Sequence, residues 1–185
     1  MRTAARQSMV GYTMMELVVT MAIVAILVSL AGPSFTSVTN SNRIAGEVNG
    51  LLGDLQYARA EAVKEGLPVT VCASTNGTAC SGGNTWQGGW IVFADANGNA
   101  AVDAGEAILR VQQAFRSTDT FVASNAVAAI TFNREGFANG FGAGSLFSLH
   151  DATTNVNWTR CLSINVIGLM VTQKKGEIAN GVTCS

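Results

Sequence analysis

The polar and apolar positions divide the chain into two regimes. From Leu17 to Ala31 the residues are almost unbroken apolar, and Tyr12–Met15 widen the run to about 20 residues, the length a helix needs to cross a bilayer. One acidic side chain, Glu16, stands at the front of this run, where a carboxylate is costly in hydrocarbon and usually functional. Beyond Pro33 the pattern turns amphipathic. Ile44, Val48, Leu51, Leu55, Ala58 and Ala62 recur at helical spacing, while Arg43, Glu47, Asp54, Arg59, Glu61 and Lys64 sit mostly off that face. Gly32 and Pro33, between the halves, should kink the helix or loosen it locally. Gly66 and Pro68 supply its stop. The spacing predicts one long helix from about Tyr12 to Gly66, lipid-facing in its first half and packed on a domain in its second.

After Gly66 the period shortens. Pro68–Ala73, Trp90–Phe93, Ala107–Val111, Thr120–Val122, Ala128–Asn133, Ser145–Leu149, Arg160–Val166 and Leu169–Gln173 read as strands separated by Gly- and Asn-rich turns. Short strands with no second helical period predict an antiparallel sheet, one face of which the amphipathic helix covers. In the strand at 90–93, Trp90 and Val92 share one face while Ile91 and Phe93 share the other, as suits the middle of a covered sheet. The fold class is therefore α+β. Its divisions are a leader (1–11), a stem helix (12–32), the amphipathic half of that helix (33–66) and a β-rich head (67–185).

Charge and composition turn this pattern into a topology. Charged residues make up 12% of the 185-residue chain, low for a soluble surface. The sequence holds no second membrane-length stretch, so it reads as single-pass. Arg2 and Arg6 precede the span and favour a cytoplasmic amino terminus with the remainder exported. An ordinary secretory signal would be cut after the apolar run. Glu16 at the front of the run, and the helix continuing past it, argue against that.

The four cysteines suit an exported domain and allow three pairings. Cys72–Cys80 and Cys161–Cys184 are favoured because each closes a local loop, and the second would tie down the carboxyl tail. No C-x-x-C pair occurs and His150 is the single histidine, so zinc and other cofactors are not expected. Asp95, Asn97, Asn99, Asp103 and Glu106 carry oxygens at calcium-loop offsets. However, Ala100 stands where such a loop needs Gly, and a turn about Asn97-Gly98 is the simpler reading. Trp86, Trp90 and Phe93 read as core rather than a ligand platform. His150 and Asp151 lie in a polar stretch without a nucleophile motif, so no enzyme is expected and His150 reads as a surface loop residue. Lys174-Lys175 is the only basic doublet after the leader, too little cation for strong phosphate binding, and reads as a solvated turn.

Gly11-Tyr12-Thr13-Met14-Met15-Glu16-Leu17 resembles the class III signal of type IV pilins and pseudopilins. The resemblance implies that prepilin peptidase cuts between Gly11 and Tyr12 and methylates the new Tyr12 amine. With the leader gone, two of eleven basic residues leave and all twelve acidic ones stay, taking the formal charge from −1 to −3. The resemblance also gives Glu16 an assembly role, pairing with the methylated amino terminus of a neighbouring subunit. Leu55-Gln56-Tyr57-Ala58-Arg59-Ala60-Glu61-Ala62, Val71-Cys72-Ala73-Ser74, Trp86–Asp95, Asp103–Leu109 and Ile130–Gly136 are similar to motifs of GspH/FimT-type minor pilins.

That likeness implies a pilin-like fold and a non-catalytic subunit that helps prime pilus assembly near the tip. It also implies partners: minor and major pilins, the prepilin peptidase, the inner-membrane assembly platform, and membrane lipid before assembly. The expected location is the bacterial inner membrane with a periplasmic head, then the pilus fibre. Two alternatives go with it, an H-type pseudopilin of type II secretion and a FimT-like DNA-uptake pilin. The cysteine pattern looks more like the pilus-type proteins. Some FimT-like pilins bind DNA through a Gly-Arg-x-Arg tail motif. The matching residues here are Gly168-Leu169-Met170-Val171, without the arginines, which leaves Lys174 and Lys175 as the weak candidates for DNA contact.

Overall fold

The computed structural model describes residues 11–142 and 144–185, with backbone alone at 30–34. The leader residues Met1–Val10, with Arg2 and Arg6, lie outside the described residues. So do the side chains of Gly32 and Pro33, where the kink is expected. The chain divides between Thr39 and Asn40 into two units.

Helix α1 runs from Met14 to Glu65. It starts there because Thr13 caps it: the Glu16 amide donates to Thr13 Oγ1 at 3.2 Å, satisfying one of the free N–H groups of a first turn. It stops because Gly66 adopts a positive φ of 68°, with its N–H on the Ala62 carbonyl, and Pro68 follows. In the first unit, Leu17–Val28 expose apolar side chains on every side of the helix. The hydroxyls of Thr20 and Ser29 donate back to the Leu17 and Ile26 carbonyls, so neither leaves an unmet donor in an apolar surrounding. Among the described residues, no helix is long and apolar enough to cross a membrane. The expected span, 12–32, includes residues 30–32, whose side chains lie outside the described residues.

In the second unit the buried stripe of α1 is Ile44, Val48, Leu51, Leu55, Ala58 and Ala62, the six residues that the helical spacing selects. Strands β1 (Val69–Ala73), β2 (Gly89–Ala94), β3 (Ile108–Gln113), β5 (Ala129–Phe132) and β6 (Ala138–Asn139) form one antiparallel sheet in the order β3-β2-β1-β5-β6. Strands β4 (Thr120–Ala123), β7 (Gly144–His150), β8 (Arg160–Asn165) and β9 (Met170–Lys174) form a second, in the order β4-β7-β8-β9. Strands β10 (Ile178–Ala179) and β11 (Val182–Thr183) make a terminal hairpin. The pattern predicts a single sheet. Instead, two sheets contribute to one core, Val71, Trp90 and Ile130 from the first and Phe147, Leu149 and Leu162 from the second, all clustered with the stripe of α1.

The central strands β1 and β2 of the first sheet are buried on both faces. Trp90 and Val92 join the core with the helix, whereas Ile91 and Phe93 pack with Cys72, Cys80 and Val102 on the other side. The Cys72–Cys80 disulfide thus fastens the 74–88 loop onto an apolar face that would otherwise meet water. Cys161–Cys184 joins β8 to the end of the chain. Gly89 is required where β2 meets β3: its φ is +101°, and a Cβ there would lie 2.4 Å from the Gln112 carbonyl oxygen.

Candidate assembly surfaces of stem and head

The stem presents Tyr12, Thr13 and Glu16 together at the start of α1. Tyr12 is exposed and precedes the capping Thr13. Glu16 is exposed in the first turn, where the helix dipole favours a negative charge. Around them Met14, Met15, Leu17 and Val18 are exposed apolar side chains, a surface that needs lipid or protein to cover it.

On the head, the aromatic residues are interior. Trp86 packs edge-on against Phe147 at 5.0 Å, and its indole N–H donates to the Val127 carbonyl. Trp90 lies edge-on to Phe115, and its indole donates to Asp54 on the helix at 2.9 Å. Phe93 is fully buried on the opposite face. These rings are committed to the core and form no ligand platform.

The Asp95–Glu106 loop engages its carboxylates in hydrogen bonds of its own, with Asp95 alone among them buried. Asp95 is buried and accepts from the Thr70 hydroxyl and the Asn99 and Ala100 amides at 2.7–3.0 Å. The Asn97 and Asn99 side chains both donate to Asp103, and Glu106 accepts from the Ala96 and Asp103 amides. Ala100 takes the left-handed conformation that Gly would fill, at φ +60°. Among the described residues, no cluster of acidic, Cys or His side chains is placed to hold a metal ion.

His150 corrects the reading of a surface loop residue. It ends β7 opposite Thr120, half-buried, with Nδ1 3.3 Å from Thr159 Oγ1. Burial and the nearby Lys175 charge lower its pKa, against the opposing charge of Asp151. Asp151 is also buried. It accepts from the Asn155 amide and the Thr153 hydroxyl and so closes the turn that follows β7. Lys174 ends β9, Lys175 follows it, and both are exposed. Positions 169 and 171, where the DNA motif would place arginines, hold the half-exposed Leu169 and the partly buried Val171 instead.

Two arrangements were not visible in the pattern. Glu47, one turn after Arg43 on α1, meets the segment between β3 and β4. Ser117 donates to Glu47 at 3.2 Å, and Arg43 donates to the fully buried side chain of Asp119 at 3.1 Å. One oxygen of Glu47 and one of Asp119 are buried without a partner. Burial, then the Asp119 charge, raises the Glu47 pKa from 4.5 to about 7, against the opposing effects of Ser117 and Arg43. The i, i+4 spacing of Arg43 and Glu47 was a signal, but their partners lie some 70 residues away. The second arrangement is Arg59, whose guanidinium donates to the Gly168 and Ile167 carbonyls at 3.0 and 3.2 Å. It clamps the β8–β9 turn to the helix.

A model of the family described as Type II transport protein GspH matches residues 47–168, most of the head and the helix face beneath it. Two crystal structures of the Pseudomonas aeruginosa type IV minor pilin FimU are similar to the chain. One is 26% identical with a TM-score of 0.55, covering 75% of this chain and 92% of that one. The other, in a different crystal form, is 25% identical with a TM-score of 0.52, covering 71% and 91%. No curated protein matches the chain significantly. A long amino-terminal helix packed on antiparallel sheets is thus an arrangement shared with a type IV pilin head.

Proposed function

The chain belongs to the GspH family of minor type IV pilins and pseudopilins, and from that premise we propose that it is a minor pilin that helps prime assembly of a type IV pilus near its tip. The observation that carries the pilus assignment is the likeness to FimU over 92% of that chain. In this reading the precursor sits in the inner membrane through its apolar stem, with the head in the periplasm. Prepilin peptidase removes residues 1–11 and methylates Tyr12. The all-round apolar surface of Leu17–Val28 then exchanges lipid for the stems of other pilins. Glu16, held in the first turn by the Thr13 cap, meets the methylated amine of a neighbour. Desolvated, such a pair sets register and rejects misaligned subunits more than it adds raw stability. The protein works by packing, without a catalytic step.

A second reading, an H-type pseudopilin of type II secretion, is favoured by the name of the matching family. Deletion of the gene separates the two. Loss of surface pili and twitching with normal protein export supports the pilus reading. Loss of export with normal piliation supports the secretion reading. Normal piliation with lost transformation would instead support a DNA-uptake pilin.

A further inference from the structure

Several exposed apolar side chains of the head gather at one place. Val63 on α1, Phe137 before β6, and Val166, Ile167 and Leu169 around the β8–β9 turn are each 45–53% exposed. Their backbones are in contact: the Ala138 amide donates to the Val166 carbonyl at 2.9 Å. A Cβ on Gly136 would lie 3.4 Å from Val63, and one on Gly168 would lie 2.6 Å from the Gly136 carbonyl oxygen. A groove lined by Arg59, Val63, Leu169 and Met170 runs between helix and turn. By contrast, Val156 and Ile178 lie elsewhere on the surface, in the loop after β7 and in the terminal hairpin.

Arg59 lies at the centre of this patch. It is half-buried, two of its N–H groups go to carbonyl oxygens, and among the described residues it makes no ion pair. Its neighbours on the helix are already matched, Lys64 by Glu61 and Glu65. A guanidinium has five N–H donors, so Arg59 has donors to spare and no counter-charge. An apolar patch of this kind marks an interaction site, and a central Arg amid apolar side chains is a frequent anchor of one. A phosphate backbone would need several cations, and the patch offers one.

We propose that this patch docks the head of a neighbouring, non-identical pilin subunit, which inserts apolar side chains around a carboxylate that pairs with Arg59. The inference rests on the filament reading above for the identity of the partner. Gly136 and Gly168, both at positive φ, let the Arg59 side chain lie against the two turns, so the anchor is held in place before the partner arrives.

The test uses the full chain in its own host. A photoreactive benzophenone amino acid replaces Leu169, or Ile178 as a control site. Illumination of position 169 should give an adduct with another chain that has the same kind of apolar amino-terminal stem, in a peptide containing Asp or Glu. Position 178 should give at least tenfold less. Separately, Leu169→Asp and Leu169→Lys both remove apolar area, but only the acid repels a carboxylate. Incorporation into fibres should fall about tenfold or more for L169D and clearly less for L169K, with both disulfides and the thermal transition of each variant unchanged. Equal losses for the two variants would overturn the carboxylate. Wild-type incorporation by L169D, or an adduct with lipid or nucleic acid, would overturn the docking surface. Absence of the wild-type chain from any fibre, with no pilin adduct at either position, would instead overturn the filament reading.

Discussion

Replacing Glu47 by Gln should make the protein more stable at high pH and leave it nearly unchanged at low pH. The Glu47 pKa is about 7 in the fold against 4.5 for the free side chain, because burial and the Asp119 carboxylate disfavour its charge. Between those values the folded chain holds a proton that the unfolded chain has released, so stability falls as pH rises through that window. The full shift corresponds to an upper bound of about 3 kcal/mol. Glu47 is only half-buried, and solvent screening reduces this to about 1 kcal/mol. Glutamine has nearly the same shape and offers an N–H to the unpartnered Asp119 oxygen, so it imitates the protonated acid without titrating. For a chain of this size, 1 kcal/mol moves Tm by roughly 2–4 °C. Thermal melts of the full chain in detergent at pH 4, 6 and 8 should show the E47Q advantage growing from near zero to that value. An advantage that is the same at every pH, or that shrinks as pH rises, would refute the reasoning.

Other expectations follow from the fold. Replacing Cys161 and Cys184 together by Ser should cost about 3 kcal/mol, and amide exchange should accelerate first in residues 176–185, which that bond ties to β8. Gly89→Ala should destabilise by more than about 1 kcal/mol, since the new methyl meets the Gln112 carbonyl at a positive φ; a chemical-denaturation midpoint measures it. A chelator should leave Tm unchanged, because the oxygens of Asp95, Asp103 and Glu106 are taken up by hydrogen bonds within the protein. A fall of several degrees that calcium reverses would restore that loop as a cation site.

Periodicity reports which residues are buried, and this part of the fold was legible before any coordinates. The stripe from Ile44 to Ala62 and the two-faced burial of Trp90–Phe93 follow from spacing alone. Spacing does not report which strands are neighbours. Strand order within the head, and its division into two sheets, depend on contacts between residues far apart, such as Val71 with Ile130. β6, β10 and β11 have two residues each, too few to show alternation. The Glu47–Asp119 cluster was hidden for the same reason, since a polar residue on a helix flank reads as solvated until its distant partner is known. Arg59 reads as a surface cation, yet it is half-buried and bonded to the β8–β9 turn more than 100 residues away.

The most direct measurement is mass spectrometry of fibres sheared from the surface of host cells. The account expects a peptide of this chain that begins at Tyr12 and carries one added methyl group on its amine, together with peptides from the head. A chain missing from the fibres and recovered from membranes with Met1–Gly11 still attached, or cut after Ala31, would contradict it.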